Sequence, residues 1–330
     1  MLPLQLHLQQ LSKLPPALRY DGKSPLAAWQ ETAREKLREL LGMEHFQSCA
    51  LAFQAKDWED KGTYRRRRIS FQSEAGYRVP GWWLEPHELP CPVRVMICLQ
   101  GHSTGMHISL GETKYPQKDD HHGDRDFALH AIEHGFCALV LEQRCFGQAG
   151  SKADGSTDCY QSAMTALLLG RTLLAARVWD VMRGIDAAEK HLLEQPGEFY
   201  CMGNSGGGTV TMYAACLEER IAGVMPSCSV CSFDHSIAPI HHCACNFVPG
   251  MRRWFDMGDL AGMIAPRPMM VVAGVEDGIF PIAPTRETFQ FMQQRYYTAA
   301  NTPDKCALFV GDEGHRFYKE AWNGFLGLLS

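Results

Sequence analysis

One serine stands in a sequence setting typical of a nucleophile. Ser205 lies in the pattern Gly203-Asn-Ser-Gly-Gly207, after a short apolar run and before a stretch of small residues with helical character. A tight turn between a strand and a helix exposes the serine hydroxyl, and glycines at the flanking positions leave room for neighbouring backbone. The helix start also directs N–H groups at any negative charge that forms beside the serine. The pattern favours a nucleophile elbow over a chance glycine turn.

A serine hydroxyl becomes a strong nucleophile when a base takes its proton and an acidic group orients that base. Asp277 follows the apolar run 269–273 in a Gly-x-x-Asp pattern, and His315 follows the run 307–310 in a loop bracketed by glycines. Ser205, Asp277 and His315 therefore occur in the chain order Ser, Asp, His, each after a predicted strand. Since open parallel sheets place their sites at the carboxyl ends of strands, we expect these residues to form a catalytic triad.

Other acidic residues lie beside the proposed acid and base. Glu276 is adjacent to Asp277 and is the main competitor for its role, although we expect it to point away. Asp312 and Glu313 lie in the histidine loop itself, where we expect solvated surface positions. Asp277 is therefore the predicted acid.

The oxygen that becomes negative when serine attacks a carbonyl needs hydrogen-bond donors. Gly206, immediately after the nucleophile, is expected to supply one backbone N–H. The second is expected from the loop after an early strand, where Gly101 permits a turn and His102 offers its N–H. The His102 side chain either lines the substrate pocket or merely packs, and the sequence leaves both interpretations open.

Several charged residues invite functional interpretations. Arg144, at a predicted strand end, either binds a substrate carboxylate or forms an internal ion pair. The run 65–68 consists of four arginines, but alternate residues of a strand face opposite sides, so we expect a solvated hairpin and no polyanion site. Asp180 and Asp186 lie on a long predicted helix and are expected to form ordinary salt bridges.

The segment 228–245 is rich in cysteine and histidine and raises the question of zinc. The residues concerned are Cys228, Cys231, His235, His241, His242, Cys243 and Cys245. Structural zinc sites use four nitrogen or sulfur ligands, typically from two units of the Cys-x₂₋₄-Cys kind. Only the first pair has that spacing, since a single residue separates Cys243 from Cys245. We predict no metal and no other cofactor, and expect this segment to pack and partly to line the site.

The elements that must position these residues alternate between strands and helices. Short apolar runs without period-2 alternation predict buried strands at 93–99, 137–141, 198–202, 222–225, 269–273 and 307–310. Helical patterns lie between and after them at 126–133, 164–189, 207–217, 284–297 and 320–329. This alternation predicts an α/β fold whose mostly parallel central sheet is covered by helices on both faces.

The rest of the chain surrounds this alternating region. Residues 1–60 read as a helical extension packed on the core, with Ser24 as the N-cap of a helix that stops at Gly42. Residues 65–84 predict a hairpin that opens the catalytic domain, 61–330. Residues 228–262 lack a clear period and are expected to form an insertion or lid.

The composition is that of a globular protein with an acidic balance. The 330 residues include 32 Lys and Arg against 37 Asp and Glu, a net charge of −5. Nucleic acids and anionic membranes select clustered positive charge, so neither is an expected partner, whereas a homo-oligomer is compatible with this balance. The thirteen cysteines are irregularly spaced, no secretory signal is evident, and no segment reaches the roughly 18 apolar residues of a membrane span. We expect reduced thiols in a cytoplasmic protein, with Cys98 and Cys201 as small buried residues.

From about residue 64 to its end, the chain resembles α/β-hydrolases of the dienelactone-hydrolase and acetyl-xylan-esterase-like group. Beyond the triad positions, the resemblance rests on the segments 142–147, 168–174, 242–250 and 265–268. It implies an α/β-hydrolase fold and metal-free serine hydrolysis of esters, often with acetyl or other small acyl groups. Dienelactone hydrolases proper are shorter and use cysteine as nucleophile, whereas Ser205 occupies that position here.

We therefore expect a serine esterase that hydrolyses a small-molecule ester through an acyl-enzyme on Ser205. One alternative is a serine peptidase of the prolyl-oligopeptidase kind, whose catalytic domain shares these motifs. Such peptidases usually carry a large propeller, for which the 60-residue extension is too short. The other alternative is a non-catalytic binding protein with the same fold, against which the intact triad residues argue.

Overall fold

A computed structural model describes the whole chain, residues 1–330. The strands are β1 (Gln54–Ala55), β2 (Glu59–Asp60), β3 (Tyr64–Glu74), β4 (Tyr77–Pro86), β5 (Val93–Leu99), β6 (Cys137–Leu141), β7 (Gly197–Asn204), β8 (Ile221–Ser227), β9 (Met269–Gly274) and β10 (Cys306–Gly311). The helices are α1 (Pro3–Ser12), α2 (Leu26–Leu41), α3 (Phe127–Glu133), α4 (Tyr160–Leu168), α5 (Leu173–His191), α6 (Gly206–Leu217), α7 (Met251–Trp254), α8 (Met257–Ile264), α9 (Ile282–Met292) and α10 (Ala321–Leu329). None of the helices combines the length and the apolar character that crossing a bilayer requires.

All ten strands form one sheet in the order β1-β3-β4-β6-β5-β7-β8-β9-β10, with β2 paired to β3. Adjacent strands in the part β6-β5-β7-β8-β9-β10 of this order are parallel. Strand β4 pairs with the other edge of β6 in antiparallel orientation. The six predicted strands correspond to β5 through β10 and differ from them by no more than two residues at either end. The predicted α/β fold with a mostly parallel sheet is confirmed.

Helices cover both faces of the sheet, because the side chains of each strand alternate between two cores. Ile97 and Leu99 of β5 belong to the core shared with α5 and α6. Cys98, between them, belongs to the opposite core, together with Phe127 of α3 and Trp322 of α10. Strands buried on both faces need apolar residues at every position, which explains the unbroken apolar runs in the sequence.

Residues 164–189 form two helices, so the prediction of one continuous helix is wrong. Helix α4 ends before Gly170, whose φ of 72° lies in the left-handed region that ends helices. Thr172 then caps α5, since its Oγ1 accepts a hydrogen bond of 3.0 Å from the N–H of Ala175. A glycine and a capping threonine thus outweigh the helical period that runs across them.

The first 60 residues contribute α1 and α2 but also β1 and β2, which pair with β3. Helix α2 begins at Leu26 without a side-chain cap, so Ser24 as N-cap is wrong, whereas Gly42 ends the helix in the left-handed conformation as expected. The Nε2 of Gln30 donates to the carbonyl oxygens of Gly262 and Ala265 at 2.7 and 2.6 Å. These bonds attach α2 to α8.

The arginine run 65–68 lies on β3 and divides between the two faces of the strand, as predicted. The odd-numbered guanidinium groups lie over Trp58 and the even-numbered ones over Trp82. Arg66 is only 7% exposed and pairs with Glu59, so the expectation of a solvated hairpin is wrong at this residue. Because a tryptophan holds two of the guanidinium groups on each face of the strand, the four positive charges do not form one patch.

Candidate active site

Ser205 lies in a sharp turn between β7 and α6. Its φ of 54° and ψ of −121° place a non-glycine residue in a strained conformation, and its N–H donates to the carbonyl oxygen of Ser227 at 2.8 Å. A Cβ added to Gly207 would lie 2.1 Å from the carbonyl oxygen of Leu99, and one added to Gly203 would lie 2.5 Å from the carbonyl carbon of Gly207. The turn therefore requires glycine at both positions.

We expect Gly207→Ala to lower the free energy of unfolding by about 1–3 kcal/mol or more, because backbone must move to admit the methyl group. Gly327→Ala is the matched control, since a Cβ there meets nothing within 4 Å. Because Gly327 lies within α10, we expect this control to leave stability unchanged or to raise it by up to about 1 kcal/mol. Chemical denaturation monitored by circular dichroism measures both effects. Equal stability of the two variants would contradict the close approach at Gly207.

His315 and Asp277 form a hydrogen-bonded pair in the loops after β10 and β9. The Nδ1 of His315 lies 2.8 Å from Oδ2 of Asp277, which is buried. The other carboxylate oxygen accepts the N–H groups of Ile279 and Phe280 at 2.8 and 3.0 Å. Burial alone raises the pKa of Asp277, but His315 and these N–H groups hold that pKa below its ordinary value. An ionised carboxylate in this position orients the imidazole and leaves its Nε2 available.

The neighbouring acidic residues do not take part in this pair. Glu276 is exposed, and its N–H donates to the carbonyl oxygen of Glu313 at 2.9 Å. Asp312 and Glu313 are exposed as expected, and the Glu313 carboxylate pairs with Arg316 at 2.8 Å. Of the acids near the histidine, Asp277 alone reaches its ring.

Two backbone N–H groups near Ser205 have no hydrogen-bond acceptor within the chain. They belong to Gly206, at the first turn of α6, and to His102, in the loop after β5. A Cβ on Gly206 would lie 4.0 Å from the backbone nitrogen of His102 and 3.0 Å from two atoms of its ring. The two N–H groups are therefore close neighbours beside the serine. The His102 ring packs against Gly206, and its Nε2 lies 3.3 Å from the Sγ of Cys245.

Ser205, His315, Gly206 and His102 line one cleft of about 240 Å³ at the carboxyl ends of the parallel strands. Only three of its twelve lining residues are hydrophobic; the set is His102, Arg125, Ser205, Gly206, Thr209, His241, His242, Cys243, Asn246, Ile279, Phe280 and His315. Part of the insertion 228–262 therefore lines the cleft.

The chain is similar to known proteins both in sequence and in structure. No protein-family model matches the chain. It is 24% identical over 211 residues to YtaP of Bacillus subtilis (strain 168), a protein provisionally assigned as a hydrolase, covering 62% of this chain and 67% of that protein. A provisionally assigned acetyl xylan esterase from Bacteroides fragilis NCTC 9343 superposes with a TM-score of 0.78 at 17% identity, over 96% of this chain and 82% of that one.

Two further solved structures are similar. The methylesterase BT1017 has a TM-score of 0.72 at 17% identity, covering 98% of this chain and 67% of that one. A glucuronoyl esterase from Solibacter usitatus has a TM-score of 0.70 at 12% identity, covering 96% and 98%. This chain has the α/β-hydrolase fold. The resemblance to acetyl-xylan-esterase-like hydrolases is thereby confirmed as a likeness of fold.

Arg144 lies outside the cleft that contains Ser205 and His315. Its guanidinium binds both carboxylate oxygens of Asp180 at 2.7 and 2.8 Å and pairs with Glu74 at 2.7 Å. It borders a separate cavity of about 380 Å³ that contains neither Ser205 nor His315. The structure therefore places Arg144 in an internal ion pair, the second of the two interpretations that the sequence allowed, and does not bring it to the cleft. A buried carboxylate such as Asp180 requires this compensation, which the sequence around Arg144 does not reveal.

Three residues near Ser205, Asp277 and His315 were not assigned to this site from the sequence. His242 lines the cleft, and burial together with the nearby His315 and His102 lowers its pKa to about 4. Arg125 also lines the cleft. Cys228 lies beside Asp277, and burial raises the pKa of its thiol to about 12, so it stays protonated. No local motif marks these residues, because each reaches the site on a loop whose path depends on the fold.

The zinc candidates of the segment 228–245 do not form a cluster of their own. Cys228 lies against Asp277, and the ring of His235 binds the hydroxyl of Ser232 at 2.7 Å. Cys243 and Cys245, by contrast, lie within 4.8 Å of two residues from distant parts of the chain, His102 and Cys159.

Proposed function

We propose that the protein is a serine esterase with Ser205 as nucleophile, His315 as general base and Asp277 as the group that orients the base. The observation that carries this proposal is the hydrogen bond between His315 and Asp277. His315 lines the same cleft as Ser205, which lies in a strained turn. These residue types, in this chain order and at three strand ends, match the requirements of nucleophilic acyl transfer.

The reaction proceeds in two halves. His315 takes the proton of Ser205 as the hydroxyl attacks the ester carbonyl, and the resulting oxyanion accepts hydrogen bonds from the N–H groups of Gly206 and His102. His315 then gives the proton to the leaving alcohol, which departs and leaves an acyl-enzyme. Water, activated by the same histidine, attacks the acyl-enzyme and releases the acid. Asp277 stabilises the imidazolium that forms in each half.

The cleft favours a short acyl group and a polar alcohol. A volume of about 240 Å³ limits the length of the acyl chain that the cleft can enclose. Arg125, Asn246 and His242 supply hydrogen-bonding groups suited to hydroxyl-rich molecules. The solved structures of similar fold include enzymes described as acting on acetyl xylan and glucuronoyl esters. We infer that the substrate is a small carbohydrate-type ester, with acetyl as the acyl group.

The catalytic unit in this proposal comprises residues 61–330, with 1–60 as an extension. Hydrogen bonds from Gln30 to the backbone at Gly262 and Ala265 support packing of that extension next to the insertion 228–262. Helix α8 lies at the C-terminal end of this insertion. The extension therefore contacts the insertion at that end, while other residues of the insertion line the cleft.

The test is a fluorophosphonate probe followed by peptide mapping, together with a graded panel of esters from acetyl to octanoyl that includes acetylated sugars. We expect a single modified residue, Ser205, and the highest kcat/KM for acetyl esters of sugars. Preference for a proline-blocked peptide anilide would instead favour a peptidase. Absence of labelling in folded protein would favour a non-catalytic binding protein.

A further inference from the structure

A compact cluster of sulfur and nitrogen atoms lies directly beside the loop after β5, residues 100–105, which we call the oxyanion loop because it carries the proposed His102 donor. The Nε2 of His102 and the Sγ atoms of Cys159, Cys243 and Cys245 all lie within 4.8 Å of one another. The Sγ of Cys245 is 3.3 Å from the Sγ of Cys243 and 3.3 Å from Nε2 of His102. A fourth thiol, Cys145, packs in the same buried hydrophobic cluster as Cys159 and Cys245 but does not belong to this set of four atoms.

These distances fit the edges of a tetrahedron around a metal ion. With Zn–S bonds of about 2.3 Å and Zn–N bonds of about 2.0–2.1 Å, a regular site separates sulfurs by roughly 3.8 Å and nitrogen from sulfur by roughly 3.5 Å. The two contacts of 3.3 Å lie within about 0.5 Å of those edges. Three thiolates and one imidazole are also a donor set that structural zinc sites use.

A buried arginine supplies an independent argument from charge. Arg177 is 2% exposed, and its guanidinium donates to the Sγ of Cys159 at 3.2 Å, to the Sγ of Cys245 at 3.3 Å and to the carbonyl oxygen of Arg144. It forms no ion pair with a carboxylate. A buried cation requires a buried negative charge, and the sulfurs are the only candidates within reach of its donors.

Zinc satisfies this requirement. Zn²⁺ bound by three thiolates and a neutral imidazole carries one net negative charge, which the guanidinium of Arg177 balances. Its hydrogen bonds to Cys159 and Cys245 are also the contacts expected around metal-bound thiolates. Three neutral thiols, by comparison, would leave the buried guanidinium uncompensated.

We propose that His102, Cys159, Cys243 and Cys245 form a four-coordinate zinc site that is structural in type. Binding displaces three thiol protons to solvent, and His102 coordinates through Nε2 while Nδ1 keeps its proton. All four positions are filled by protein ligands, so the ion has no open position for water or substrate. The proposal replaces the sequence prediction of no metal.

The site joins three parts of the chain that surround the cleft. His102 follows β5, Cys159 lies at the start of α4, and Cys243 and Cys245 belong to the insertion 228–262. Because the His102 ring packs on Gly206, coordination also fixes the loop whose N–H lies beside Ser205. The ion thus acts as a positioning element for the insertion and the oxyanion loop, whichever reaction the cleft supports.

A metal-free arrangement is the competing interpretation. In that arrangement the Sγ of Cys245 forms hydrogen bonds with the Nε2 of His102 and the Sγ of Cys243, and no ion binds the four groups. The two interpretations differ in metal content and in the state of the thiols.

The experiment measures zinc in wild-type protein purified without chelators, by inductively coupled plasma mass spectrometry. We expect about one zinc per chain, as a closed four-ligand site requires. We expect Cys159→Ser and Cys243→Ser to lose most of it. Cys231→Ser is the matched control, because Cys231 is a buried thiol of the same insertion outside the cluster, and we expect it to retain zinc.

A spectroscopic measurement makes the test independent of the variants' folding and of activity. Wild-type protein stripped by a chelator and titrated with Co²⁺ is expected to show thiolate-to-cobalt charge transfer and tetrahedral d–d bands. Wild-type protein that contains no zinc and gives no such bands would overturn the proposal, and so would equal zinc loss in Cys231→Ser.

Discussion

Replacing Ser205 with alanine is expected to lower kcat for p-nitrophenyl acetate by about 10⁴- to 10⁶-fold, because the acyl-enzyme cannot form. The residual rate would come from the oxyanion donors and from substrate binding. KM is expected to change little, since the small side chain contributes little to ground-state binding. Steady-state kinetics measures both constants, and the fluorophosphonate probe reports whether a covalent adduct still forms.

Ser70→Ala is the control for the serine variant. Ser70 lies on β3, where its hydroxyl accepts a hydrogen bond from Arg78 at 3.1 Å, and it does not line the cleft. We expect its kcat and its labelling to equal those of wild type. A Ser205→Ala protein that is folded by circular dichroism and retains wild-type esterase activity would sink the assignment of the nucleophile.

Replacing Asp277 with asparagine is expected to lower kcat by about 10⁴-fold with the fold intact. The carboxylate accepts the Nδ1–H of His315 and thereby holds the ring in the tautomer whose Nε2 can take a proton. An asparagine amide that donates to Nδ1 would place the proton on Nε2, where the nucleophile needs a base. Fluorophosphonate labelling of Ser205 should slow in parallel.

Glu276→Gln is the matched control, because it makes the same chemical change one residue away on an exposed side chain. We expect it to keep wild-type kcat and KM. If Glu276→Gln lost activity while Asp277→Asn kept it, the roles of the two carboxylates would be reversed. The comparison thus decides between the two acids that the sequence offers for this position.

The placement of Ser205, Asp277 and His315 at three strand ends was predictable, because each position depends on a short stretch of chain. Gly203 and Gly207 flank Ser205 in a recognisable five-residue pattern, and the strand before Asp277 is evident from its apolar run. Once a parallel sheet is inferred, its topology brings the strand ends to one edge. Local pattern and sheet geometry together therefore predict which residues meet.

The partners of Arg144, by contrast, could not be predicted from local sequence. Its position after β6 is compatible with a substrate-facing side chain, but Asp180 on α5 and Glu74 on β3 hold its guanidinium elsewhere. Those partners lie 36 and 70 residues away along the chain, and their distance from Arg144 depends on how α5 and the hairpin pack. The ion-pair partner of a buried charged side chain depends on which elements pack against it, and the spacing of residues along the chain does not specify this.

Cysteine spacing did not reveal the cluster of His102, Cys159, Cys243 and Cys245 for the same reason. A search for paired ligands within the segment 228–245 finds only Cys228 and Cys231 at a suitable interval, and these are not in the cluster. The cluster combines Cys243 and Cys245 with Cys159 and His102, which come from other elements of the fold. Ligand sets assembled across such separations become visible only when the elements are packed together.

The sequence by itself determined the alternation of strands and helices, the glycine pattern around Ser205 and the chain order of the three triad candidates, because each is read from a local residue pattern or from hydrophobic periodicity. Only the tertiary structure decided the polar lining of the cleft, the ion pair of Arg144 and the gathering of three thiols and an imidazole around a buried Arg177. Those features depend on distances between elements far apart in the chain, and such distances are set by how helices and loops pack over the sheet.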